Sequence, residues 1–383
     1  MRFAVDAHAI GRHLTGNEVY VRSLLNGFAT LDRESEFIAY LSLDEAESWV
    51  PTRFATRRVA GNPFVRLGCE LSYKLRQDRP QLLHVQYTAP LACPVPIVVS
   101  VHDVSFLEHP DYFPYYRSQQ LRWTVRRTIR RAARILTGSE FSRDAIARAY
   151  DLDPDRIAVV PNAASEAFHR VRRESATAKV HARFGIGGPF VLSVGDLQPR
   201  KNHIGLIAAF AGLVRSNPEL QHRLVLAGKD TWFSWRVRDA AKRSGVADRI
   251  HFLGFVTDDD LLQLYNSCEL FCFPSYYEGF GLPVLEAMAC GAAVACSNTS
   301  AVPEVADGAA LLFNPYNFDE ITRAMLDLIV LPELQTRMCR LGLQRATQFS
   351  WQKTARMTLE AYHAIAEEHS ARETTAVHAA VGR

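Results

Sequence analysis

The feature that most constrains this chain is an alternation. Apolar runs of strand length, such as "IVVSVHD" at 97–103, "ILTGSE" at 135–140, "FVLSVGD" at 190–196 and "LFCFPS" at 270–275, each break off in polar or glycine residues before a stretch of helical periodicity. Strands that are apolar at successive positions are buried on both faces, and that occurs in parallel sheets covered by helices on each side. The class is therefore α/β. In the first half the strands are predicted at Phe3–Ala7, Glu36–Leu41, Leu82–Gln86, Ile97–His102, Ile135–Gly138 and Ile157–Val160, with helices near 18–30, 64–77, 115–133 and 140–150. A second series follows at Phe190–Val194, Leu224–Ala227, Ile250–Leu253, Leu270–Phe273, Ala293–Cys296 and Ala310–Phe313.

Two such series in 383 residues predict two domains, 1–170 and 171–350, and direct attention to a cleft between them. The polar, then glycine-rich stretch "HRVRRESATAKVHARFGIGG" from His169 reads as the linker with a short helix. An amphipathic closing helix is expected over 351–370, with 371–383 a disordered tail. The 44 basic and 41 acidic side chains nearly cancel, so no global field argues for nucleic acid. Seven cysteines without a C-x-x-C pair fit a reduced, cytoplasmic chain, and no run has the length of a signal peptide core or a membrane span.

The chemistry concentrates after particular strands. In "SYYEGFGLPVLEAMACG", Glu278-Gly279-Phe280-Gly281-Leu282 is a tight loop entering a helix, with Pro283 near its first position. Such a loop lets backbone approach a ligand and turns helix N–H groups toward a phosphate. Glu286 is expected in the first helical turn, where the dipole favours a carboxylate, whereas Glu278 on the loop has no such structural reason. In "VLSVGDLQPRKNHIGLI", Gly195 ends a strand and Arg200 and Lys201 precede a helix, an anion site of the kind a diphosphate needs, or an exposed basic turn. "VVSVHDVSFLEHP" delivers His102 and Asp103 to a strand's carboxyl end, as ligand contacts or as structural hydrogen-bonding groups. Gly16 in "LTGNEVYVRSLL" marks a turn into the first helix. "TDDD" at 257–260 resembles a metal-binding D-x-D but is explained by helix capping, and no metal site is expected. Arg122, Arg126, Arg127, Arg130, Arg131 and Arg134 give one helix a basic face, suited to solvent, to an anionic membrane surface or to a lipid-linked acceptor. Neither G-x-G-x-x-G after a strand nor G-x-x-x-x-G-K-[ST] occurs, which removes the main support for nicotinamide and P-loop chemistry.

Taken together, "EGFGLPVLEAMACG" with its Glu-x7-Glu spacing, "PRKN" after "VG", "HD" at a strand end and a closing helix that starts "FSW" resemble the retaining glycosyltransferases of family 4. "HDVSFLEHPDYFP" and "LTGSEFSRDAI" are similar to the bacterial mannosyl- and rhamnosyltransferase-like members. The resemblance implies the GT-B fold: two Rossmann-like doubly wound domains facing across a cleft, with the C-terminal helix packing back on the first. It implies that Glu286 holds the nucleotide ribose, that Glu278 contacts the donor sugar, and that the backbone of Gly279, Phe280, Gly281 and Leu282, with Gly195, lines the sugar and diphosphate. Arg200 and Lys201 would neutralise the leaving diphosphate, His102 would touch the sugar near the reacting carbon, and Gly16 and Asp103 would lie on the acceptor side. The substrates implied are a GDP- or UDP-linked sugar and a glycan or lipid-linked acceptor for cell-surface polysaccharide, with no cofactor and no metal. The enzyme would work in the cytoplasm, peripheral to the inner face of the membrane. Two positions depart from the family pattern: Glu18 stands in a turn that often carries a basic residue, and Asp196 follows Gly195 where relatives place arginine. An epimerase or phosphorylase of the same fold, or a silent sugar-nucleotide-binding protein, are the alternatives.

Overall fold

The computed structural model describes residues 1–12 and 15–381. The chain divides into two compact units, Met1–Asn162 with Trp351–Arg383, and Ala163–Ser350. In the first unit β1 (Arg2–Asp6), β2 (Glu36–Leu41), β3 (Ala55–Arg58), β4 (Leu82–Gln86), β5 (Ile97–Ser100), β6 (Ala132–Thr137) and β7 (Ile157–Val159) form one sheet in the order β3-β2-β1-β4-β5-β6-β7. In the second, β8 (Phe190–Val194), β9 (Arg223–Ala227), β10 (Ile250–Gly254), β11 (Leu270–Phe273), β12 (Val294–Ser297) and β13 (Leu311–Phe313) run β10-β9-β8-β11-β12-β13. The pairings are parallel in both sheets. Strand order therefore turns back between β1 and β4 in one unit and between β8 and β11 in the other, the places where doubly wound sheets open to ligands at their carboxyl ends.

The unbroken apolar runs have a direct structural cause. In the second unit Val191, Leu224, Leu226, Leu270 and Cys272 bury in the core on one face of the sheet, while Leu192, Val225, Phe271 and Phe273 bury on the other. Side chains alternate faces along a strand, so two cores demand apolar residues at every position. The strand these runs fail to announce is β3, "ATRR", whose one partner is β2 and whose residues are mostly exposed.

The predicted linker and tail are different in the structure. Arg173–Phe184 is a regular helix belonging to the second unit, and Phe168, Val180 and Ile186 around it enter that unit's core. The division between units falls at Asn162/Ala163 and not at 170/171. The closing helix runs Trp351–Val381, through most of the stretch predicted as a disordered tail; residues 382–383 lie outside the described residues. Its Tyr362 packs against Phe3 and Phe28 with ring centroids 5.2 and 5.4 Å apart. The helix Thr15–Leu31 approaches it so closely that a Cβ on Gly27 would stand 2.5 Å from the Cβ of Ala355.

Candidate active site

At the β8/β11 switch point the two expected loops meet. After Gly195 the chain makes a single turn at Pro199–Lys201, and Asn202, in the left-handed region at φ 54°, accepts the Gly205 N–H at 3.1 Å to cap the helix His203–Ser216. The Asn202 amide also donates to the Pro315 carbonyl at 2.8 Å. The turn is stitched to the loop after β11: the Tyr276 N–H donates to the Arg200 carbonyl at 2.8 Å, and Arg200 Nη1 donates to the Tyr277 carbonyl at 3.1 Å. A third loop braces both, since the Glu278 N–H donates to Ser300 Oγ at 2.9 Å and Thr299 Oγ1 donates to the Tyr276 carbonyl at 3.0 Å.

Glu278 lies between two cations. Arg200 Nη1 reaches Oε2 at 2.7 Å and Lys201 Nζ reaches Oε1 at 2.7 Å, so each carboxylate oxygen takes one charge. Burial by itself raises the carboxyl pKa, but Arg200 and Lys201 outweigh it and hold the group at about 2. Lys201 is pulled below its ordinary value, first by burial and then by Arg200, against the attraction of Glu278. Its ammonium sits 4.8 Å from the Phe273 ring centroid. Its stem crosses Gly195, where a Cβ would lie 3.1 Å from both Cδ and Cε at φ 154°. Gly195 is thus the residue that lets the lysine lie flat against the strand end. The structural reason that Glu278 lacked in the sequence is this ion cluster.

Glu286 corrects the sequence expectation. The helix is Leu282–Ala289 with Gly281 at its N-cap, so Glu286 is one turn deeper than the first turn and no acid occupies that turn. It is buried, accepts a hydrogen bond from the Tyr265 hydroxyl at 3.0 Å, and pairs with no cation among the described residues. Burial, reinforced by Asp258 and only partly offset by Tyr265 and Lys201, pushes it up to about 7. Of the loop residues, Gly279 is buried, Gly281 takes φ 113° and accepts the Val284 N–H at 3.0 Å, and Leu282 opens the helix half-buried. The Phe280 side chain instead anchors the loop in the core, edge-on to Phe349 at 5.9 Å.

The departures and the acidic run have structural roles as well. Asp196 Oδ1 accepts the Lys229 N–H at 3.1 Å, tying the loop after β8 to the one after β9. Thr257 and Asp260 form a reciprocal capping box on the helix Asp258–Ser267. Among the described residues no three His, Cys, Asp or Glu side chains converge to hold a metal ion.

The remaining predicted residues lie in the first unit. His102 follows β5, and its Nε2 is 3.0 Å from Gln86 Oε1. Its ring stands edge-on to Tyr20 at 4.7 Å and Tyr87 at 5.6 Å. Burial pushes its pKa down to about 4, against the pull of Asp103, so the imidazole is neutral near pH 7. Asp103 Oδ1 accepts both the N–H and the hydroxyl of Ser105, at 2.9 and 2.6 Å, starting the short helix Ser105–Glu108. Gly16 is exposed in the first turn of Thr15–Leu31, and a Cβ there would meet nothing within 4 Å. Buried Glu18 fastens that helix to the preceding loop, accepting the Gly11 N–H at 3.0 Å.

Of the six arginines read as one basic face, Arg134 lies on β6, and Arg127 and Arg131 donate to the Leu91 carbonyl. Arg122, Arg126 and Arg130 are exposed on the helix Tyr115–Arg131, which carries no acidic residue. Tyr115, Tyr116 and Trp123 on it are 80%, 73% and 61% exposed. Sequence inspection missed Tyr265, Ser300 and Gln86. Tyr265 looked like one more apolar helix position, Gln86 like the end of a strand, and Ser300 carried only the weak signal of the serine and threonine turn "SNTS".

Residues 178–344 match the family of glycosyl transferases group 1, and residues 14–167 match Glycosyltransferase Family 4. The chain is 34% identical over 269 residues to the O-antigen chain mannosyltransferase B of Escherichia coli, covering 69% of each protein. It is 31% identical over 274 residues to the serotype-specific mannosyltransferase WbdA of Escherichia coli, which covers 71% of this chain and 32% of that longer protein. Among solved structures, HepE from Anabaena in complex with UDP-glucose superposes with a TM-score of 0.77 at 20% identity, covering 95% of this chain and 99% of that one. The chain belongs to the family 4, group 1 glycosyltransferases of GT-B fold, enzymes that transfer a sugar from a nucleoside-diphosphate sugar to an acceptor.

Proposed function

We propose that this enzyme moves a hexose, mannose or a close relative, from a GDP- or UDP-linked donor to a hydroxyl of a glycan or lipid-linked acceptor, with retention of anomeric configuration, in the synthesis of cell-surface polysaccharide. The observation that carries the reading is the Arg200–Glu278–Lys201 cluster at the β8/β11 switch point, beside the start of the helix Leu282–Ala289. Glu278 holds two cations in place before any donor arrives, and a diphosphate leaving group finds them already oriented, so stabilising its charge requires little reorganisation. Glu286 has an accepting carboxyl in a buried position and suits the ribose hydroxyls. The 31% and 34% identities to mannosyltransferases support the mannose-like donor.

A carboxylate pinned by two cations at about 2 is a poor nucleophile and cannot act as an acid near neutrality. Retention by a covalent glycosyl-enzyme, as in glycosidases with a pair of flanking carboxylates, is therefore disfavoured at Glu278. The same-face route implied by the family resemblance needs no nucleophile from the protein: the leaving phosphate oxygen takes the acceptor proton as the new glycosidic bond forms.

The test begins with thermal shifts against GDP-, UDP-, ADP- and dTDP-sugars, since a donor bound to the native state raises its melting point. Transfer is then followed by NMR of the product anomeric centre. Loss of transfer in both Glu278→Ala and Lys201→Ala is expected; normal transfer in both would falsify the site assignment. Epimerised donor without an acceptor, or phosphate consumption, would replace the reading by an epimerase or a phosphorylase.

Work at the inner face of the membrane is the second part of the proposal. It rests on the exposed Tyr115, Tyr116 and Trp123 beside Arg122, Arg126 and Arg130, a pairing of interfacial aromatics with cations that fits an anionic headgroup layer.

A further inference from the structure

The β1/β4 switch point of the first unit holds a side chain that no motif announced. Gln86 closes β4 and is buried, with both ends of its amide engaged. Nε2 donates to the Asn17 carbonyl at 3.1 Å, in the first turn of the helix that also carries Gly16, and Oε1 faces His102 Nε2 at 3.0 Å. The two contacts are not interchangeable. A carbonyl can only accept, so Asn17 fixes which end of the amide is nitrogen, and the oxygen must turn to His102. An amide oxygen can only accept in its turn, so His102 Nε2 must carry the hydrogen. Because burial keeps the ring neutral, Nδ1 is then left with a lone pair.

We propose that Gln86 is a positioning residue that holds His102 as the Nε2–H tautomer, presenting Nδ1 as a hydrogen-bond acceptor, and that it ties this setting to the first turn of the helix Thr15–Leu31. Tyr20 completes the support from the other side of the ring. Its ring lies edge-on to His102, and its hydroxyl is locked to Ser100 Oγ at 2.7 Å. Ser100 Oγ is 2.7 Å from His84 Nε2, and His84 Nδ1 is 2.5 Å from the Tyr362 hydroxyl on the closing helix. The imidazole is therefore gripped between an amide that sets its tautomer and a tyrosine anchored through three further side chains. A group that accepts from a sugar hydroxyl works only if its lone pair is aimed before substrate binds, and a displaced ring loses rate more than affinity.

The catalytic consequence rests on the reading of His102 as a donor-site residue; the tautomer itself does not. Nitrogen-15 NMR of histidine-labelled enzyme reads it directly, with His102 assigned among the 13 histidines by the signal lost in His102→Gln. The expected result is a protonated Nε2 and an unprotonated Nδ1 in the wild type. In Gln86→Met, which keeps the length and loses the acceptor, the tautomer preference should disappear and kcat should fall about 10- to 100-fold with donor KM little changed. Gln86→Glu keeps an acceptor for Nε2–H but loses the donor to the Asn17 carbonyl, so it should keep the Nε2–H tautomer and recover only part of kcat. An Nδ1–H tautomer in the wild type overturns the proposal even if Gln86→Met does not fold, and so does a Gln86→Met enzyme with unchanged tautomer and kcat. If instead His102→Gln transfers sugar normally, the role of His102 fails while the NMR result still decides what Gln86 does.

Discussion

Glu278 and Glu286 stand on the two sides of one short turn, both nearly sealed from water, and their carboxyls are driven in opposite directions. Two cations within 2.7 Å make Glu278 a permanent anion, whereas Glu286 has a phenol for company and sits at about 7. The second value has a signed consequence. An acid whose pKa is raised on folding binds more protons folded than unfolded, so its contribution to stability is complete below the unfolded value of 4.5 and is lost as pH rises through about 7. Without donor, Glu286→Gln should therefore be more stable than the wild type at about pH 8, by up to about 3 kcal/mol, with the difference vanishing toward about pH 4.5. Urea unfolding across that range measures it, and a pH-independent difference would contradict the assigned environment. Ribose hydroxyls donate to the carboxylate form, so donor binding should release protons and weaken as pH falls below about 7, which calorimetry in buffers of different ionisation enthalpy reads directly. From the sequence the two glutamates looked alike in all but their distance from a helix start. The Glu278 carboxyl is set by Arg200 and Lys201, which are 77 or more positions away along the chain, and that of Glu286 by burial against Tyr265.

Elements were far easier to read. Strands buried on both faces advertise themselves as apolar runs, and β8 and β11 lie at the residues those runs mark. β3 does not, because an exposed edge strand is held by backbone pairing with β2 and needs no apolar residues. The short helix expected in the linker is Arg173–Phe184, but its membership of the second unit was hidden for a related reason: Ala176 and Val180 are its buried positions, too few to stand out from the charged residues around them. Where two helices cross, a single glycine sets the distance. Gly27 faces Ala355 with no room for a Cβ, so Gly27→Val should destabilise the first unit by about 1–3 kcal/mol through overpacking. Ala355→Gly in the same chain should recover part of that loss, as thermal or urea unfolding would register. A neutral Gly27→Val would mean that the helices separate freely and that their contact contributes little.

At the scale of the whole molecule, the helix Tyr115–Arg131 offers the proposed membrane contact, and no helix among the described residues is long and apolar enough to cross a bilayer. Each arginine near an anionic surface contributes about 1 kcal/mol, so Arg122, Arg126 and Arg130 together are worth about a hundredfold in partitioning. Sedimentation with vesicles rich in anionic lipid should carry the protein down at low salt, and replacing the three arginines by glutamate should abolish it. Equal recovery with purely zwitterionic vesicles would sink the idea. The amino-acid sequence by itself determined the fold class, the two sheets, the loops at the switch point and the family, because burial on both faces, glycine turns and helix starts are local demands met by residues close together in the chain. Tertiary structure alone decided that the two carboxyls are driven in opposite directions, that the closing helix continues to Val381, and that Gln86 meets His102. Those outcomes depend on distances between residues remote in sequence, and hydrogen bonds and Coulomb energies act through space.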